Sequence, residues 1–75
     1  MPLSQITVRQ WGMEFHFASL DGDHFLPVNR LSNGSEEDEK ALAALFEGDG
    51  NFKPMTFGRL WFNHQSEDAE VVIHA

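Results

Sequence analysis

The sequence predicts an α+β fold, a small antiparallel β-sheet of four to five strands with one α-helix packed on one face, in the order ββ(β)αββ. Three observations predict it. Short alternating segments rich in β-branched and aromatic residues lie on both sides of a single stretch with helical spacing. Clusters of Gly, Asn, Asp and Ser separate these segments. No repeat and no linker composition interrupts the chain, so residues 1–75 make one domain.

The elements follow in order. Ile6-Thr7-Val8-Arg9-Gln10-Trp11 and Met13-Glu14-Phe15-His16-Phe17-Ala18-Ser19 read as strands, with Gly12 marking either a tight connection or a bulge in one bent strand. Asp21-Gly22 signals a turn into Phe25-Leu26-Pro27-Val28, an edge strand because Pro27 has no N–H for a ladder. Ser35 and Asp38 resemble a capping box, and Leu42, Leu45 and Phe46 keep helical spacing up to Gly48, which predicts a helix over 36–47. A loop from Asp49 to Pro54 then leads into a strand over Thr56 to Asn63, paired through a Gln65–Asp68 turn with a strand over Glu70 to His74. A continuous barrel closed by the helix is the competing layout.

A chain of 75 residues buries a smaller share of its surface than a larger one, so its core must be dense or shared with a second copy. A hydrophobic content of 41 % with seven Phe and two Trp is that of a folded domain rather than an acidic tail. The absence of cysteine excludes disulfides and thiolate metal sites. No apolar run approaches a membrane span and Met1-Pro2-Leu3-Ser4-Gln5 lacks the regions of a signal peptide, which points to the cytoplasm.

Chemistry-bearing patterns are sparse. Glu14 and His16 share a strand face, where the carboxylate favours a protonated imidazole. His16, His24, His64 and His74 form no H-x-H or H-E-x-x-H spacing, and the alternation of Glu47, Asp49 and Asn51 fails as a calcium loop because Phe52 stands where a Gly is needed. There is no G-x-S-x-G elbow and no phosphate-cradling glycine loop. The expectation is a protein that is not an enzyme and needs no metal or cofactor.

Two features point to binding instead. Arg9-x-Trp11 and Arg59-x-Trp61 each place a guanidinium and an indole two residues apart, on one face if both segments are strands. Phe57 and Trp61 on one side of the expected strand, and Leu60 and Phe62 on the other, leave aromatic surface beyond what one helix covers, suited to a partner or to a homodimer through the open sheet face.

Charge is the sharper signal. Of the twelve acidic residues, eight lie between residues 21 and 51: Asp21, Asp23, Glu36, Glu37, Asp38, Glu39, Glu47 and Asp49. Only Arg30 and Lys40 oppose them there, so the stretch holds −6 of the chain's net −7. Such a field repels nucleic acid and anionic lipid and attracts a cationic protein surface. The expected function is an acidic interaction module that docks on a basic surface of a nucleic-acid-binding protein, with Trp11 or Trp61 as apolar anchor. Small, acidic, cysteine-free domains are the build of phage or mobile-element inhibitors, including anti-CRISPR-like nucleic-acid mimics, an analogy of class and not of motif. A structural subunit that homodimerises through the open sheet face is the second reading.

Overall fold

A computed structural model describes residues 3–48 and 53–74. The chain runs β1 (Ser4–Gln10), β2 (Met13–Ser19), β3 (His24–Val28), α1 (Glu36–Glu47), β4 (Met55–Thr56), α2 (Phe57–Asn63) and β5 (Glu70–His74). The strands form one open antiparallel sheet in the order β4-β3-β2-β1-β5. The class is the α+β arrangement that the sequence predicts, and it is a sheet with two edges rather than a barrel. β3 is not the edge strand that Pro27 predicts, because β4 lies outside it, but β4 pairs only with His24 and Phe25, so no described strand meets Pro27 on that side and its missing N–H breaks no ladder.

Gly12 belongs to a tight connection. β1 and β2 pair without a slip from Ser4↔Ser19 to Gln10↔Met13, leaving Trp11 and Gly12 as a two-residue loop. Both have positive φ, 54° and 74°, which is the type I′ turn whose twist matches the strands it joins. Gly12 adopts that conformation freely, whereas Trp11 is an L-residue with a bulky side chain held in the left-handed region. Nothing in the turn itself calls for Trp, and its side chain is 68 % exposed. Trp11→Asn is therefore expected to stabilise the domain by about 1 kcal/mol, read as a higher urea midpoint at unchanged slope.

Register assigns the two faces. Ile6, Val8, Phe15, Phe17 and Phe25 turn to one side, where they pack with Leu60 of α2, Met55 and Val71. Ala18, Leu26 and Val28 turn to the other and pack with Leu3, Leu20, and Leu42 and Phe46 of α1. α1 occupies the expected residues. Ser35 caps it, the acids of its first turn complement the helix dipole, and Leu42 is its buried residue.

The segment 56–63 corrects the expected strand. Only Met55 and Thr56 extend β3, and from Phe57 the chain is helical. Thr56 caps the helix by accepting from Arg59 N at 3.2 Å, and Phe57 N donates to Asp23 O at 3.0 Å. Phe57, Leu60 and His64 then fall at spacings of three and four, so one helical stripe meets the sheet, with Phe57 against Phe25 and His64 against Phe15 and Phe17. The expected second hairpin is absent as well, because β5 pairs with β1, from Gln5↔His74 to Arg9↔Glu70. Each sheet face thus carries a helix, one more helix than the sequence predicts.

Candidate functional site

The acidic residues divide by what their carboxylates already do. Asp38 belongs to the cap of α1: Ser35 Oγ accepts from Asp38 N at 3.3 Å and donates to Asp38 Oδ2 at 2.8 Å. Glu36, Glu37 and Glu39 share that first turn, with Glu36 and Glu37 exposed. Glu47 stands at the far end of α1, about 16 Å along the axis at 1.5 Å per residue. Asp49 lies outside the described residues, as do Asn51 and Phe52 of the calcium-loop reading.

Asp21 and Asp23 come together in the β2–β3 turn. Asp21 Oδ1 accepts from Asp23 N at 2.8 Å, His24 N at 2.9 Å and Ser19 Oγ at 3.0 Å, and its Oδ2 lies 3.1 Å from His24 Nδ1. Beneath it the buried Ser19 Oγ accepts from Gly22 N at 2.8 Å. Donation from the His24 and Asp23 amides, then from the His24 ring, holds the Asp21 carboxyl far below the ordinary carboxylate range. Asp21 is accordingly a turn-former.

That shift has a testable sign. A carboxyl whose pKa falls on folding stabilises the fold fully above its unfolded pKa and loses the contribution as pH falls towards the folded value. Asp21→Asn keeps an oxygen acceptor for the two amides and removes the charge. Wild type is expected to melt above the variant at neutral pH, and the gap to close as pH drops below about 5, measured by thermal melts across an acid series.

The Arg-x-Trp pairs do not act as expected. Arg59 and Trp61 are on a helix, where residues two apart point about 200° from one another. Arg9 donates from Nε to Glu14 Oε1 at 2.9 Å, and its second nitrogen lies 3.7 Å from Glu70. The bond and charge of Glu14 raise the Arg9 pKa, and Arg9 in turn lowers that of Glu14. Trp11 sits at the hairpin tip and Trp61 on α2, in separate elements.

Beyond α1, the sheet face it covers is polar apart from Val72: Arg9, Glu14 and His16 lie there with Thr7, Glu70 and His74. His16 Nε2 is 3.5 Å from Glu14 Oε2, as the strand spacing predicts, and the buried Thr7 shares a hydrogen bond of 2.9 Å with His74 Nε2. Among the described residues no three His, Asp or Glu side chains gather to hold a metal. No helix among the described residues is long and apolar enough to cross a membrane.

The apolar surface lies on α2. Leu60 points into the core, so Trp61 and Phe62 turn outwards and are 49 % and 73 % exposed. Gly58 falls between them on the helical wheel, and a Cβ there would meet nothing within 4 Å. A glycine inside a helix costs about 1 kcal/mol relative to alanine, and here no internal contact requires it. It leaves a shallow notch beside two aromatic rings. Sequence reasoning found Trp61 but not Phe62 or Gly58 as its companions. The recurrence of Phe57, Leu60, Trp61 and His64 at helical spacing is the signal that leads to them.

α2 is braced from behind. Gln10, on the core face of β1, donates to Ser66 Oγ at 2.8 Å and meets His64 Nδ1 at 3.0 Å through its Oε1. The notch therefore stands on a platform fixed at both helix ends. Comparison of the chain with protein-family models, curated proteins and solved structures finds no match.

Proposed function

We propose that the chain is a non-enzymatic protein-interaction module that docks on a basic surface of a cytoplasmic nucleic-acid-binding protein and inhibits it. The observation that carries this reading is the outward face of α2, where Trp61 and Phe62 flank Gly58 on a braced helix. Trp is enriched among residues that dominate binding energy, and two exposed rings beside a bare backbone form an anchor that a partner desolvates. The net charge of −7 supplies long-range steering, since Glu36, Glu37 and Glu47 are exposed on α1, on the sheet face opposite α2, and act at a distance from the aromatic anchor. Inhibition by occupying a nucleic-acid site is the form this takes if the partner is a host protein of phage or mobile elements.

The test is retention from native lysate at rising salt by wild type, by a Trp61→Ala/Phe62→Ala variant and by Glu36→Gln/Glu37→Gln. Asp38 is left intact because it holds the cap. One basic, nucleic-acid-binding protein is expected on wild type, released by salt, weakened by the acid variant and lost with the aromatic one. The retained protein should also lose its nucleic acid as the module is titrated in. Retention indifferent to salt and to both variants would sink the reading.

A further inference from the structure

We infer that β5 is a self-pairing edge, through which two copies of the chain join antiparallel strands and merge their sheets into one of ten strands. This surface is distinct from α2 and stands independently of the proposed function. β5 pairs with β1 on one side, and no described strand lies on the other. Its sequence, Glu70-Val71-Val72-Ile73-His74, has neither the Lys nor the Pro that commonly blunts an open edge. Ile73 is 68 % exposed.

Backbone directions follow from the hairpin. A two-residue type I′ loop closes on a hydrogen-bonded pair, here Gln10 and Met13, so Ile6, Val8 and Gln10 turn their amides and carbonyls to β2. Gln5, Thr7 and Arg9 consequently turn theirs to β5, where they face His74, Val72 and Glu70. The remaining groups of β5, the N–H and C=O of Val71 and Ile73, point outwards.

A two-fold axis at Val72 satisfies them. It sets Val71 opposite the second copy's Ile73 as a hydrogen-bonded pair, twice over, giving four backbone bonds. Val72 then meets itself at the axis in a non-bonded pair, where side chains approach most closely. Each Glu70 comes to lie opposite the second copy's His74 on the same sheet face, an acceptor against a ring that donates. The strand is thus complementary to its own reverse in backbone, in the shape of its Val and Ile side chains and in the pairing of a carboxylate with an imidazole. That complementarity selects a second copy over an unrelated strand as the occupant.

The experiment is sedimentation velocity with amide exchange across a concentration series of the full chain. The mass is expected to rise from 8.5 kDa towards twice that value. Protection of the Val71 and Ile73 amides should rise with it, while that of Val72 and His74, bonded to β1 in either state, stays constant. Ile73→Lys alters an exposed side chain and leaves the β1 ladder intact. Ile73→Pro removes an outward N–H. Both are expected to remain monomeric with a native-like circular dichroism spectrum in dilute solution. A wild type that stays monomeric at millimolar concentration overturns the inference, as does a dimer that survives Ile73→Lys or is abolished by Trp61→Ala/Phe62→Ala.

Discussion

Leu60→Ala is expected to destabilise the domain by about 3 kcal/mol, enough to leave a substantial unfolded population at 37 °C. Leu60 is wholly buried and is the α2 residue within the core of Ile6, Val8, Phe17 and Phe25. Truncation removes three buried carbons and leaves a void against aromatic neighbours that refill it poorly. The turn that follows α2 depends on the same contact, since His64 rests on Phe15 and Phe17 and Gln10 reaches both His64 and Ser66. Urea unfolding should show the loss as a lowered midpoint. If the midpoint moves by less than the equivalent of about 1 kcal/mol, α2 is not part of the cooperative core.

Leu42→Ala is expected to be comparably costly, about 2–3 kcal/mol, but with a different distribution. α1 contributes one buried side chain, Leu42, supported by a half-buried Phe46, while Leu45 is 42 % exposed. A helix held by so few contacts opens below the global unfolding free energy. Helical circular dichroism should therefore fall before the β-sheet signal on heating the variant, and amides of α1 should exchange while those of β1 remain protected. Simultaneous loss of both signals would show instead that α1 folds only with the sheet. Because Glu36, Glu37 and Glu47 ride on α1, the same substitution should scatter the acidic surface while leaving the Trp61 and Phe62 notch in place.

The legible parts of the chain were those written in local chemistry. Ser35, Asp38 and the spacing of Leu42, Leu45 and Phe46 determine α1 within one stretch, and Asp21-Gly22 specifies its turn through bonds no more than three residues long. The segment 56–63 was illegible for an equally local reason. Phe57, Leu60 and Trp61 suit a helix stripe, but Phe57 with Trp61 and Leu60 with Phe62 also suit a two-sided strand, and Gly58 argues against a helix. Packing on Phe25 and the Gln10 brace decide it, and both come from elements far away in sequence. The acidic cluster was legible as composition, but not the internal duties of Asp21 and Asp38, which depend on turn and cap geometry. The β1–β5 pairing had no local signal at all.

That pairing also imposes an order on synthesis. Residues 5–9 lie in the middle of the sheet, yet their second neighbour is residues 70–74. As the chain leaves the ribosome, β1, β2 and β3 can assemble as soon as their hairpins emerge, with each step closing only a short loop. β1 must then wait with one side bare until β5 arrives, with the 41 residues from 29 to 69 lying between the end of β3 and its start. During that interval the nascent meander presents Thr7 and Arg9 as an open template, and the finished protein hides it only when its last described strand arrives.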